Sequence, residues 1–233
     1  MSNFLKPRFS PDNLDRYIIR QSILNELEKH LSSFSGTLLD VGCGQMPYKA
    51  LMLSSPSRVK NYIGLDLENN QIHHNKPDIA WQGENIPLDK GVIDCAIATE
   101  VFEHCPSPEK IMTEIARVLK PSGLLFFTVP FLWPLHEVPF DEYRYTPFSL
   151  KRHLSASGFK EIELTPLGCW DASLAQMLAL WVRRRRMKEW ARNALSLLLW
   201  PIIYFLYKKD HKASVHFREN LMITGIAGTA RKK

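Results

Sequence analysis

The chain is 233 residues long, 45% hydrophobic and 23% charged, which suits one large globular domain, residues 1–233, with a core of its own. Its formal charge of +6 is uneven: Arg183, Arg184, Arg185, Arg186 and Lys188 crowd together, and without those five the balance is +1, so the basicity is one patch and nucleic acid is not the expected partner. Cys43, Cys95, Cys105 and Cys169 form no CxxC pair, which argues against a zinc site or a disulfide framework and fits a reducing, cytoplasmic setting.

In chain order, Met1–Ser10 lacks the apolar run of a secretory signal. Ser10-Pro11-Asp12 then predicts a helix start, with Ser10 as N-cap and proline at the first helical position. The stripe Leu14, Tyr17, Ile18, Leu24, Leu27, Leu31 carries this N-terminal helix to residue 34, and Gly36 ends it. Short apolar runs follow as predicted strands: Thr37–Val41, Asn61–Asp66, Asp78–Gln82, Val92–Thr99 and Leu124–Val129. Between the last two lies an amphipathic helix, Ser107–Lys120, closed by Pro121-Ser122-Gly123. Beyond an aromatic and polar stretch, Thr146 caps a helix over Pro147–Ser157, Phe159–Thr165 forms a sixth strand, and Asn220–Ala230 a seventh. Strands alternating with helical crossovers predict an α/β fold: a Rossmann-like, mostly parallel seven-stranded sheet with helices on both faces.

The densest chemical signal is Leu38-Leu39-Asp40-Val41-Gly42-Cys43-Gly44, a strand running into a glycine turn. Gly42 and Gly44 let backbone approach a ligand where a Cβ would collide, and the N–H groups beyond can receive electronegative atoms. Asp40 stands where a carboxylate could meet a cationic group. Asp66 ends the second strand, 22 positions after Gly44, where a nucleotide-binding unit holds a ribose. A plain strand-to-helix turn is the bland alternative. A dinucleotide-dependent oxidoreductase is the sharper one, although Pro47 stands where its third glycine belongs.

These residues resemble the class I S-adenosylmethionine-dependent methyltransferases, in particular the type-11 group. The resemblance implies that Asp40, Gly42, Cys43 and Gly44 face the methionine part of the donor and that Asp66 and Leu67 face its ribose side. It also implies that Gly83, Glu84, Asn85 and Ile86, within Gln82–Leu88, form the adenine-side loop. Glu100-Val101-Phe102-Glu103-His104 is similar to the family's segment after strand four, which places Glu100 beside the donor, and Arg117–Gly123 is similar to its later turn. S-adenosyl-L-methionine is the implied cosubstrate and no metal is expected. The chain departs from the pattern at Met46, where a third glycine is common, and at Ser122.

Loops after strands four and five face the donor in this architecture. The second, Pro130 to Tyr145, is similar to the H-E-x-P-x-D-x-x-R-Y-T loop of methyltransferases associated with bacterial surface-glycan pathways. His136 is the candidate base, Glu137 or Asp141 its orienting partner, and Tyr143 and Arg144 are candidates for holding polar acceptor groups. In the bland reading Arg144 pairs with Asp141 or Glu142 and only pins the loop. Helical spacing would put Glu100 and His104 on one face, with His104 in a structural hydrogen bond. The expected acceptor is a small molecule, a glycan or a lipid-linked intermediate, methylated on oxygen.

A helical insertion over residues 170–212 precedes the last strand. Trp170–Val182 is helical in period, Ala194–Tyr207 is apolar but short for a membrane span, and Lys208, Lys209 and Lys212 follow. Its Trp, Tyr and basic flanks suit a hairpin peripheral to the inner face of a membrane; a lid over the acceptor pocket and a homodimer contact compete. A noncatalytic scaffold that keeps the fold and presents this hairpin is the remaining alternative to an enzyme.

Overall fold

In the computed structural model, which describes residues 4–68, 76–210 and 217–233, the predicted strands assemble into one seven-stranded sheet. Met1–Asn3 and Lys212 lie outside the described residues. A 3-10 turn over Pro11–Asn13 leads into α1, Leu14–His30. Ser10 has the extended backbone of a cap, but its hydroxyl makes no capping bond; its carbonyl receives the Asn13 N–H at 3.0 Å instead. Then come β1 (Ser35–Val41), the short α2 (Lys49–Met52), β2 (Arg58–Leu67), β3 (Ile79–Trp81), β4 (Ile93–Thr99), α3 (Pro108–Val118), β5 (Leu119–Pro130), α4 (Pro147–Ala156), β6 (Phe159–Leu167), α5 (Trp170–Arg184), α6 (Glu189–Asp210) and β7 (Gly225–Lys232).

The strand order is β3-β2-β1-β4-β5-β7-β6. From β1 the chain pairs outward to β2 and β3, then returns to pair β4 on the other side of β1, with Leu39 opposite both Ile63 and Ala96. The boundary between β1 and β4 is thus where strand order reverses, the place at which open α/β sheets bind ligands. All pairs from β3 to β5 are parallel, so their C-terminal ends share one edge. β7 runs the other way: Thr224, just before it, bonds the carbonyl of Leu167 at 2.8 Å, and Lys233, just after it, bonds that of Gly158 at 3.0 Å.

Two expectations near the sheet are corrected. Pro121-Ser122-Gly123 does not close a helix into a separate turn; α3 ends at Val118 and these residues bulge within β5, where Leu119 faces Ile93 but Leu124 already faces Cys95. The last strand starts at Gly225, not Asn220, whose φ of +60° is unsuited to a strand. Gly228 inside it is a packing requirement: a Cβ there would lie 2.5 Å from the Phe127 ring and 2.8 Å from the Glu163 carbonyl.

Two compact units are distinguishable. Residues 26–129, 135–164 and 227–233 hold most of the sheet with α3 and α4. In α3 the buried positions Ile111, Met112, Ile115 and Val118 recur at helical spacing, and Thr146 caps α4 by accepting the Ser149 N–H, as expected. The described residues of 1–25, 130–134 and 165–226 form the other unit. There Leu14 and Ile18 of α1 pack with Ala175 and Ala179 of α5 and Ile203 and Tyr207 of α6, all buried. Asp15 ties that core down: its carboxylate receives Arg184 Nε at 2.6 Å and its carbonyl the Gln176 amide at 2.9 Å. The helix that carries the second apolar stretch is longer than that stretch: α6 adds Glu189–Asn193 before residues 194–207 and Lys208–Asp210 after them, with Pro201 inside. No helix among the described residues is long and apolar enough to cross a membrane.

Candidate functional site

At the end of β1 the chain turns hard. The Gly42 and Cys43 amides both donate to Leu65 O, at 2.8 and 3.1 Å. Gly42 has a φ of +67° and a Cβ there would sit 2.6 Å from Val101 Cγ2, so backbone conformation and space both demand glycine. Asp66, at the end of β2, locks the turn: Gly44 N donates to its Oδ2 at 2.8 Å and Leu67 N to its Oδ1 at 2.7 Å. Each carboxylate oxygen accepts more than one hydrogen bond, so two amides do not exhaust the group. Asp40 takes a different part from the one expected. It is buried, and its carboxyl receives the Tyr62 hydroxyl rather than standing open to a cation. Burial pushes that carboxyl up to about 7, the Tyr62 bond opposes the shift and the nearby Asp66 charge adds to it.

The departure at Met46 has a structural partner. Met46 is left-handed, with φ +51°, and its Cε would lie 2.6 Å from a Cβ placed on Gly64. A bulky loop residue is thus accommodated by a glycine in β2. Gly83 turns with φ +84°, and Glu84 and Asn85 are exposed beside it. Ile86 is buried and its backbone is committed to α3: its N–H donates to Glu114 Oε2 at 2.9 Å and its carbonyl receives Arg117 Nη2 at 2.7 Å. Glu114, unassigned from sequence, and Arg117, read there only as the start of the later turn, therefore anchor the loop that Gly83–Asn85 continues.

Glu100 follows β4 with φ +56° and its N–H bonds Thr128 O at 3.0 Å. Only Phe102–His104 is helical, a 3-10 turn, so Glu100 and His104 do not share a helix face as expected. Burial lifts the Glu100 carboxyl to about 7, with Thr128 and the Arg144 charge pulling the other way. Glu103 is fully buried and neither carboxyl oxygen has a hydrogen-bond partner; burial, then the neighbouring Glu100 charge, raises it well above the usual carboxylate range.

The loop after β5 forms a chain of charge. Arg144 grips Asp141 with two nitrogens, at 2.6 and 2.8 Å, and Asp141 Oδ2 receives the backbone N–H of His136 at 3.1 Å and meets its Nδ1 at 3.2 Å. The arginine bonds hold the Asp141 carboxyl well below its ordinary value. His136 is shifted down, first by burial and then by the His104 and Arg144 charges, with Asp141 opposing. Of the two expected orienting partners it is Asp141 that bonds His136; Glu137 instead lies 3.9 Å from His104 Nε2. His104 makes the structural bond expected of it, Nδ1 to Phe140 O at 3.0 Å, and its ring meets that of His136 edge-on at 4.7 Å. The Tyr143 hydroxyl donates to Pro106 O at 3.2 Å, which ties the loop to the segment after β4. Glu103, His104 and His136 bring one potential ligand atom each within 4.8 Å of one another, with His104 Nε2 3.7 Å from Glu103 Oε1.

Residues 39–127 match the methyltransferase-domain family. That segment, 89 of the 233 residues, and the sheet order carry the class I S-adenosylmethionine-dependent methyltransferase fold. It is 26% identical over 192 residues to an uncharacterized methyltransferase of Mycolicibacterium paratuberculosis, covering 72% of this chain and 74% of that one. A ubiquinone biosynthesis O-methyltransferase of Dechloromonas aromatica is 27% identical over 44% of this chain and 47% of its own length, so the chain spans about half of that relative. A crystal structure of a SAM-dependent methyltransferase from Archaeoglobus fulgidus shares the fold, with a TM-score of 0.56, 16% identity and coverage of 92% of this chain and 93% of that one.

In this chain the tertiary structure gathers the predicted residues into two groups. Gly42–Gly44, Asp66 and Leu67 are joined by backbone bonds at the ends of β1 and β2. His136, Asp141 and Arg144 form the second group, linked to the β4 end through Glu103, whose carbonyl receives the Glu142 and Tyr143 amides at 2.8 and 3.1 Å. Glu103 was not singled out from sequence, where an acid in an acidic, helix-prone segment carries no mark of burial.

Proposed function

We propose that this protein methylates an oxygen of a small-molecule, glycan or lipid-linked acceptor, with His136 taking the hydroxyl proton. S-adenosylmethionine, when bound, supplies a methyl group already activated on sulfur. The residues present suit it: the glycine turn admits a ligand against backbone, and an acid at the end of β2, Asp66, bonded to that turn, is held rigidly enough to accept ribose hydroxyls. Gly42, Cys43 and Gly44 would hold its methionine part, Leu67 with Gly83, Glu84, Asn85 and Ile86 its adenosine, and Glu100 would border the sulfur side. The chain's remaining work is alignment, exclusion of water and removal of one proton.

The observation that carries the oxygen assignment is the His136–Asp141–Arg144 relay. A carboxylate kept ionised by arginine accepts a hydrogen bond from Nδ1–H, which leaves the lone pair on Nε2 and makes it the basic nitrogen of the ring. Keeping a neutral imidazole oriented is useful only where the nucleophile must lose a proton. The relation to an O-methyltransferase supports the same reading.

Calorimetry with S-adenosylhomocysteine tests the donor half. Wild-type protein binds it, and Asp66→Asn weakens binding roughly ten- to a hundredfold, the worth of about 1.5–3 kcal/mol for a lost charge-assisted bond. Equal affinity in the variant refutes the role of Asp66. Carbon-13 methyl transfer in cell lysate tests the acceptor half: an O-methyl resonance that disappears with His136→Ala is expected, and an N-methyl product overturns the assignment.

A further inference from the structure

More than half of the exposed large hydrophobic side chains among the described residues lie on α5 and α6. On α5, Ala172, Ala175, Ala179 and Val182 are buried, while Trp170, Leu174, Met177 and Trp181 recur at helical spacing and are 42–62% exposed. On α6, Ile203 and Tyr207 are buried, while Trp190, Leu197, Leu198, Ile202 and Phe205 are 47–71% exposed. A helix packed on a core by one stripe is ordinarily polar on the other. Both helices here carry a second apolar face, too large for stray surface hydrophobics.

Charge frames that face. Arg185, Arg186 and Lys188, in and beside the α5–α6 turn, are exposed, as is Lys208 at the end of α6. The cations sit with aromatics: Arg185 lies 4.2 Å from the Trp181 ring and Lys208 5.5 Å from that of Tyr204. Acids are nearly missing. α5 has Asp171 alone, paired with Lys209 at 3.6 Å, and α6 has Glu189 and Asp210 only at its ends.

We infer that the α5–α6 hairpin is an interfacial docking element for an anionic lipid bilayer. Exposed tryptophan and leucine flanked by unpaired-sign basic charge is what such a surface attracts, rings entering the headgroup layer and cations meeting lipid phosphates. A transmembrane role fails on length: residues 194–207 span about 21 Å as a helix against about 30 Å of hydrocarbon. A second copy of the chain is a poorer occupant, since a two-fold contact would bring two basic, acid-poor faces together. The inference stands apart from the proposed methyl acceptor.

Flotation of the full chain with vesicles decides it. Phosphatidylcholine–phosphatidylglycerol vesicles should carry the protein upward at low salt, pure phosphatidylcholine should carry little, and high salt should release most of it. Arg185→Gln/Arg186→Gln/Lys188→Gln should weaken partitioning on the order of a hundredfold. Leu198→Ser/Phe205→Ser should abolish it, with S-adenosylhomocysteine binding and melting temperature unchanged, which separates loss of docking from loss of fold or donor site. Failure to float on the mixed vesicles, binding indifferent to lipid charge, or a dimer in sedimentation that both variants dissolve would each overturn the inference.

Discussion

Asp141→Ala would strip from one side chain its two bonds to Arg144, at 2.6 and 2.8 Å, and its two to His136, at 3.1 and 3.2 Å. Removing one partner of a fully buried ion pair costs about 3–5 kcal/mol, whereas an exposed pair contributes about 0–1 kcal/mol. The Asp141 side chain is 2% exposed but that of Arg144 is 25% exposed, so water reaches the orphaned guanidinium in part. A loss of about 2–4 kcal/mol follows. Urea denaturation at neutral pH reads it, and Asp141→Ala/Arg144→Ala should lose less than the two single variants together, by about 1–3 kcal/mol. The sign with pH is set by Arg144 depressing the folded carboxyl: the contribution is complete above the unfolded value of about 3.9 and fades as pH falls toward the depressed folded one. The difference between wild type and Asp141→Ala should therefore shrink only below about pH 4. A variant within about 0.5 kcal/mol of wild type, or a strictly additive double variant, would refute the relay as a structural unit.

Three further outcomes are expected. Gly42→Val should lose about 2 kcal/mol or more of stability and all donor binding, because φ +67° and Val101 both exclude it; Gly91→Ala, at φ +72° but with open space around its Cβ, should cost about 1 kcal/mol, and equal costs would contradict the steric argument. Glu103→Gln should flatten the stability profile on its alkaline side: the raised folded carboxyl favours folding below the unfolded value of about 4.3 and that benefit is lost as pH rises through the folded value, so an unchanged profile would show that Glu103 is not charged without a partner. Methyl transfer should keep its rate down to pH values below the ordinary histidine value of about 6.5, since burial and the neighbouring charges lower His136; in the same window stability falls as pH drops from about 6.5 toward the lowered value. An acid limb at or above 6.5 would contradict His136 as the proton acceptor.

The features legible in the sequence are those set by neighbours along the chain. Strand and helix periods, the proline and glycine stops, and the spacing from Gly44 to Asp66 are local, and they placed β1 to β6, α1, α3, α4 and the donor turn near where the structure has them. The amphipathic pattern of the insertion was equally local, and two helices formed there. The glycine turn was readable because a left-handed backbone against a ligand tolerates almost no other residue.

Choices among competing partners were not legible. Asp141 rather than Glu137 orients His136, although Glu137 is adjacent in sequence, because Glu137 turns left-handed at φ +50° and lies near His104. Asp40 is engaged with Tyr62, Met46 is matched to Gly64, and Ile86 is anchored by Glu114 and Arg117. β7 takes its place between β5 and β6 from the far end of the chain. The sequence by itself determined which segments are strand, helix or turn and which residues can carry chemistry, since those follow from backbone sterics and spacing. Only the tertiary structure decided which of those residues meet, because burial and pairing between segments apart in the chain depend on strand order and on whether each polar group finds a partner once water is excluded.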